Sequence, residues 1–117
     1  MPYDEYLGER ITRIMDESKK PYFSKKMMGG LVFMVNEKMC CGIHIDKKYG
    51  DSLLMLRIGE ETYQKEIHKE VCLPMDFTGR VMKGYLFVTP DGFDLEEDLE
   101  YWIKLALEYN EELLKLS

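Results

Sequence analysis

The segment KMCCGIHIDKK, residues 38–48, carries the side chains in this sequence that are best suited to chemistry. Two thiols, Cys40 and Cys41, are followed by the imidazole of His44 and the carboxylate of Asp46. Such groups can bind a metal ion, pair as a cysteine nucleophile with a histidine base, or act as a redox couple. Which of these is open to the chain depends on the element that positions the segment.

The segment has the pattern of a β-strand, in which alternate residues share a face. Cys41 and Ile43 would then lie on one face, and Cys40, His44 and Asp46 on the other. The adjacent cysteines would point in opposite directions, so they could not hold one metal ion together. Cys40 and His44 would be separated by roughly 13 Å along the strand, too far for a thiol–imidazole pair. We therefore predict no catalytic residue and no metal site here.

The composition is that of one domain covering residues 1–117, with 45% hydrophobic residues. Three cysteines are an odd number and show no C-x-x-C spacing, so neither a disulfide framework nor a structural zinc site is expected. No apolar run approaches the roughly 20 residues that cross a bilayer. The acidic start MPYDEYLGER lacks the features of a signal peptide. A cytoplasmic protein without membrane contact is predicted.

The net charge argues against nucleic acid as a partner of this domain alone. Sixteen basic and 22 acidic residues give a formal charge of −6, which phosphate backbones repel. The basic stretches KKPYFSKKMM and GRVMKG are interpreted as solvated surface. The sequence has no P-loop, dinucleotide fingerprint, nucleophile elbow or H-E-x-x-H motif, and we predict no cofactor.

Hydrophobic periodicity predicts the elements in the order α-β-β-β-α-β-β-α. Helices are expected over residues 3–18 and from a cap at Asp94 onwards, with strands and one short helix between them. A tight turn is predicted near Asn36 and Glu37, and Pro74 marks an edge or broken strand. These features favour an α+β fold with helices on a mainly antiparallel five-stranded sheet.

Several strands are apolar on both faces. In SLLMLRIG, Leu54 and Leu56 share one face while Leu53 and Met55 share the other. A half-exposed antiparallel sheet should alternate more cleanly. Either the helices cover both faces or a second subunit covers one of them, and a homodimer is expected. A charge at Met55 should then separate the subunits, or unfold the chain if its own helix covers that face.

Four segments carry a resemblance to a known family: KKMMGGLVFMVNEKMCCGI, SLLMLRIG, PMDFTGRVMKGYLFV and DLEYWIKLALEY. Together the chain resembles the N-terminal domain of the TfoX/Sxy family of bacterial proteins, associated with regulation of natural competence. Full-length competence regulators carry a further helical domain, so a stand-alone N-terminal domain is expected. The resemblance implies a fold similar to secretion-chaperone-like domains, which often pair as dimers.

The resemblance also implies which residues form the motif. The motif glycines would be Gly29, Gly30, Gly79 and Gly84. The motif polar residues, which are candidates for binding, would be Lys26, Arg57, Asp76, Arg80 and Lys83. The resemblance supplies no catalytic role for any of them.

Two functions remain open from the sequence. The first is a non-enzymatic interaction or regulatory module, with a possible protein partner, that works through a sheet edge and the PMDFTGRVMKG hairpin. The second is a small enzyme or ligand-binding protein, in which the arginine and lysine side chains hold a phosphate or carboxylate. Some relatives are labelled RNA methyltransferase, but no glycine-rich cofactor loop in the sequence supports that label.

Overall fold

Three helices and six strands follow one another in the computed structural model, which describes residues 4–27, 30–46, 51–76 and 81–116. The helices are α1 (Glu5–Ser18), α2 (Glu60–Glu66) and α3 (Glu96–Leu116). The strands are β1 (Tyr22–Met27), β2 (Gly30–Val35), β3 (Lys38–Asp46), β4 (Asp51–Arg57), β5 (Cys72–Asp76) and β6 (Val81–Val88). A short 3-10 turn, Pro90–Gly92, precedes α3. Within the described ranges, no helix is long and apolar enough to cross a membrane.

The predicted α+β class and antiparallel sheet are confirmed, but the predicted number of five strands is wrong. The predicted order has three strands between the first two helices, whereas the structure has four, because residues 22–35 contain two antiparallel strands, β1 and β2, with Met27 paired to Gly30. Side chains alternate between the two faces of the sheet in β1 and in β2 alike. Periodicity alone therefore does not reveal that the chain reverses direction between these two strands. The sheet therefore has six strands, in the order β1-β2-β3-β4-β6-β5.

Residue types at one turn and in one edge strand agree with this strand order. Asn36 and Glu37 have φ of 54° and 64°, the left-handed pair that a tight hairpin requires, and they connect β2 to β3 as predicted. Pro74 lies in β5, which is an edge strand. An edge tolerates proline because one side of the strand needs no N–H donor.

All three helices pack on one face of the sheet, which we call the covered face. Its core joins residues of α1 and α3 to the same-facing residues of the strands. Fully buried members include Leu7, Ile11, Met15, Phe33, Leu54, Leu56, Leu86, Leu99 and Ile103. Tyr63 and Ile67, from α2 and its C-terminal end, pack against the same core. Each such large side chain contributes roughly 1.5–3 kcal/mol, so this face carries most of the stability.

Arg10 fixes the start of α3 against α1. It is 7% exposed, although the sequence pattern placed it with the charged residues of the outer side of α1. Its Nη2 donates to the carbonyl oxygens of Phe93 (2.8 Å) and Asp94 (3.2 Å), and its Nε donates to Glu96 (3.1 Å). Helix α3 begins at Glu96, two residues after the predicted cap at Asp94, whose backbone carbonyl accepts from the arginine.

A buried amide fixes the other end of α3. Asn110, 2% exposed, donates through Nδ2 to the carbonyl oxygen of Val35 (3.0 Å). Its Oδ1 accepts from Nδ2 of Asn36 (2.9 Å), in the β2–β3 turn. Both hydrogen-bonding ends of a buried amide are thus satisfied, and α3 is held to the sheet at two points.

Candidate functional site

Among the predicted polar residues, Arg57 has the best-defined surroundings. It ends β4, half-buried, with its guanidinium carbon 5.5 Å from the ring centre of Tyr85 and 5.9 Å from that of Tyr109. These two cation–π contacts restrict the positions that the guanidinium can take. In the part of the chain that the structure describes, no carboxylate pairs with it.

Of the other predicted polar residues, Lys26 lies far from Arg57. Lys26 is exposed on β1, three strands away from β4, or roughly 14 Å at the usual strand spacing. Asp76 and Lys83 belong to β5 and β6, but their side chains lie outside what the structure describes. Arg80 lies outside the described residues altogether. The proposed phosphate- or carboxylate-binding cluster stays a prediction.

Two of the four motif glycines, Gly30 and Gly84, lie within the described residues, whereas Gly29 and Gly79 lie outside them. A Cβ on Gly30 would sit 2.1 Å from the carbonyl oxygen of Ile43 in β3, so only glycine allows this approach of two strands. Gly84 has φ of +91°, and its carbonyl accepts from the N–H of Ile58 (2.8 Å) and Gly59 (3.1 Å). That conformation favours glycine and ties β6 to the end of β4.

The cysteine segment forms a strand as predicted, but the two thiols do not point in opposite directions. The pairing of β2 with β3 shifts between Phe33, opposite Cys41, and Met34, opposite Met39. Cys40 is the extra residue of this bulge, and a bulge breaks the alternation of faces. Cys40 and Cys41 are 1% and 0% exposed in the same covered-face core.

The thiols are poor nucleophiles in this setting. A hydrogen bond with Cys40, together with burial, raises the pKa of the Cys41 thiol. Burial, and then the nearby Glu66 carboxylate, raise the pKa of the Cys72 thiol to about 11. The thiolate is the reactive form, and raising the pKa removes it at neutral pH. The cysteines of the described core therefore act as small apolar side chains.

The opposite side of the sheet, which we call the open face, is also apolar. Its buried residues come only from strands in the part of the chain that the structure describes. They are Val32, Leu53, Met55, Met75 and Phe87, with Met34, Met39, Leu73 and Tyr85 packed against them. The predicted two-sided apolarity of β2, β4 and β6 is confirmed.

A groove of about 240 Å³ lies on the open face. Five methionines line it: Met27, Met34, Met39, Met55 and Met75. Lys25 and His44 add polar groups to the lining. Methionine side chains are flexible and polarizable, so a surface rich in them can adapt to different apolar shapes.

His44 does not join a cysteine in this structure, but stacks on an aromatic ring. Its ring centre lies 4.7 Å from that of Phe87, at 4° between the planes. His44 pairs with Leu53 and Phe87 pairs with Met55, so the two rings meet across β4. This stacking explains how Leu53 is 0% exposed on a face where the described cluster has no helical member.

A second cleft, of about 640 Å³, runs between α1 and β1. Its charges are mixed: Arg13, Lys25 and Lys26 stand beside three carboxylates, Glu5, Glu9 and Asp16. The hydroxyl of Tyr22 donates to Asp16 at 2.6 Å, and this bond raises the pKa of Tyr22 to about 12. The cleft and the groove flank the same edge strand, β1, from its two faces.

Reasoning from the sequence does not find the groove, because a methionine in a strand pattern is most simply interpreted as core filling. The alternation of residues along each strand does indicate it, because Met34 and Met55 lie on the face opposite to the covered-face residues of their strands. What the parity does not give is the register shift at Cys40, which brings Met39 opposite Met34.

In the described ranges, no three His, Cys, Asp or Glu side chains come together as a metal site. No curated protein and no solved structure matches the chain. The family model for the TfoX N-terminal domain matches residues 17–109 of the 117. The match runs from the end of α1 through all six strands to Tyr109, which contacts Arg57. The chain therefore belongs to the TfoX N-terminal domain family.

Proposed function

We propose that the protein is a non-enzymatic interaction module with a regulatory role, and that it associates as a homodimer through its open face. The observation that carries the proposal is the methionine-lined groove on a face whose described apolar cluster is built from strands alone. Membership of the TfoX N-terminal domain family supports a regulatory role.

Exposed apolar side chains extend the groove to the sheet edge. Phe23 is 50% exposed and Met27 is 44% exposed, and both lie on the open face beside the half-buried Met34. Apolar patches of this kind are often interaction sites in soluble proteins. A second copy would supply the same adaptable surface, and a two-fold interface is the commonest way for one chain to cover it.

A cytoplasmic location and a fold similar to secretion-chaperone-like domains are part of the same proposal. The three free, buried cysteines suit a reducing compartment. An antiparallel sheet with helices on one face, and with strands alone in the described apolar cluster of the other face, is compatible with pairing through the sheet.

The experiment introduces a charge at the rim of the groove rather than at its floor. Met55 is only 6% exposed within one chain, so Met55→Asp would disturb the fold itself. Met34 is half-buried, and Met34→Asp should leave the chain folded while an unpaired charge opposes burial in the dimer. Light scattering should then report a dimer for the wild type and a monomer for the variant.

Leu95→Asp is the matched control, because Leu95 is a large apolar side chain, 58% exposed, at the start of α3. It should stay dimeric, and circular dichroism should show that both variants are folded. A wild-type protein that is monomeric at micromolar concentration, or a Met34→Asp variant that remains dimeric, would refute association through the open face.

A further inference from the structure

Strand β1 is an edge of the sheet. Among the residues that the structure describes it pairs with β2 alone, so one side of its backbone has no described strand beside it, and residues 23–27 are all exposed. In such a strand, alternate N–H and C=O groups point away from the sheet and can hydrogen-bond to an added strand. From this edge we propose that the protein binds an extended peptide of a partner protein by strand addition, which rests on its proposed function as an interaction module.

The two faces of β1 specify the peptide. Phe23, Lys25 and Met27 pair with Met34, Val32 and Gly30, which places them on the open face. Because directly opposed residues of paired strands share a face, an added strand would present three residues to them at alternate positions. Apolar residues fit beside Phe23 and Met27, and an acidic residue fits beside Lys25.

The positive charge of Lys25 favours an acidic residue at the central position of the peptide. Lys25 is exposed and makes no ion pair with any described residue. Lysines on an edge strand oppose pairing with neutral or basic strands, so they select a partner that carries a carboxylate. The recognised pattern on the open face is apolar, acidic, apolar, with one residue between each.

The intervening residues face the cleft beneath α1. There Ser24 and Lys26 meet the carboxylates of Glu5, Glu9 and Asp16 across the cleft. Because Arg13 also lines the cleft, its charges are mixed and favour neither sign, so uncharged polar residues fit the intervening positions. The peptide is therefore of the type polar–apolar–polar–acidic–polar–apolar–polar.

A second copy of β1 fits the edge less well than such a peptide. In antiparallel two-fold pairings centred on Ser24, Lys25 or Lys26, Lys25 lies opposite its own copy or diagonal to it. Diagonal neighbours are roughly 7–8 Å apart, and like charges at these positions are unfavourable. The backbone edge is thus offered to a peptide rather than to a second β1, although Lys25 and Met27 of this strand also line the open-face groove proposed for the dimer.

The test uses the synthetic peptide Thr-Val-Thr-Glu-Thr-Val-Thr, titrated to millimolar concentration into the ¹⁵N-labelled full chain. Backbone amide shifts should change along β1, and alternate β1 amides should become protected from solvent exchange. Lys25→Glu should weaken binding roughly fivefold. A peptide with Lys in place of Glu should recover the affinity for that variant.

Lys26→Glu is the matched control, because Lys26 is the adjacent exposed lysine of the same strand and points to the other face. It should bind the peptide within a factor of about two of the wild type, since the opposing peptide position is uncharged. N-methylation of the peptide at amides of one parity should abolish binding, whereas methylation of the other parity should not.

Strand addition at β1 is overturned if the peptide causes no shifts along β1, if both lysine variants bind equally, or if both methylated peptides bind equally. Light scattering distinguishes the two proposals. A monomer that binds the peptide would support the edge site and refute the dimer. A dimer that does not bind the peptide would support the dimer and refute the edge site.

Discussion

The covered face and the open face are built from the same strands and differ in the side chains that they use. On β4, Leu54 and Leu56 pack under the helices, while Met55 lines the groove. Branched aliphatic residues have few rotamers and suit a core with one fixed arrangement. Methionine tolerates a variable neighbour. The covered face is thus suited to specifying the fold, and the open face is suited to the adaptable contacts that we propose for it.

The largest difference between the faces should appear on truncating matched side chains. Leu54→Ala removes a fully buried side chain from the covered face and should lower the free energy of unfolding by about 2–5 kcal/mol. Met34→Ala, at the half-buried rim of the open face, should cost about 1 kcal/mol or less. Urea denaturation of dilute, monomeric protein measures both. Equal losses would mean that the open face is a core in its own right.

The next largest loss of stability is expected at the close contact between β2 and β3. Gly30→Ala forces a methyl group against the backbone of β3 and should cost about 1–3 kcal/mol through displacement of β2 from β3. Ser24→Ala, on exposed β1, should change stability by less than about 0.5 kcal/mol. Thermal or urea unfolding compares the two, and a neutral Gly30→Ala would contradict the close approach.

Anchorage of α3 on the covered face can be tested with a smaller expected loss. Asn110→Ala leaves the Val35 carbonyl without its donor and should cost about 1–2 kcal/mol. Asn36→Gly removes an exposed partner of the same amide while keeping a residue that tolerates the φ of 54°, and should cost less. Denaturation midpoints rank the pair. The reverse ranking would show that the turn, rather than the helix, holds the contact.

The smallest effect is the pH dependence that comes from the covered-face thiols. The pKa values of Cys41 and Cys72 are raised in the folded state, so the unfolded chain loses these protons first as pH rises. Stability from this source is fully present below the unfolded pKa near 9, and is lost as pH rises towards the folded values. Between pH 7 and pH 9 we expect a loss of about 1 kcal/mol or less.

Replacing both thiols in Cys41→Ala/Cys72→Ala should remove that slope, and denaturation at the two pH values measures it. A slope that persists in the double variant would assign the pH dependence to other groups.

The sequence was sufficient for the fold class and for the features that depend on local pattern. The turn at Asn36 and Glu37, the edge position of Pro74 and the two-sided strands follow from residue type and parity. The register shift at Cys40 and the reversal between β1 and β2 could not be predicted, because both depend on how neighbouring strands pair. Burial of Arg10 depends on carbonyl groups more than 80 residues away in the chain.

In the candidate site too, local sequence pattern predicts some features, whereas others depend on contacts between elements that are distant in the chain. Parity was enough to indicate an apolar second face, but the methionine groove needs the curvature and order of the whole sheet. The family motif named Arg57, whereas its stacking between Tyr85 and Tyr109 joins β4, β6 and α3, which no local pattern connects.

The two anchors of α3 have a consequence for the order of folding. Arg10 reaches residues 93, 94 and 96, and Asn110 reaches Val35, so the last helix is tied to the first third of the chain at both ends. Contacts of such sequence separation form only after the intervening loop has closed. The β2–β3 hairpin, closed by a two-residue turn, can form early and present the Val35 carbonyl. We expect α3 to dock late, which places the covered core among the last parts of the molecule to be completed.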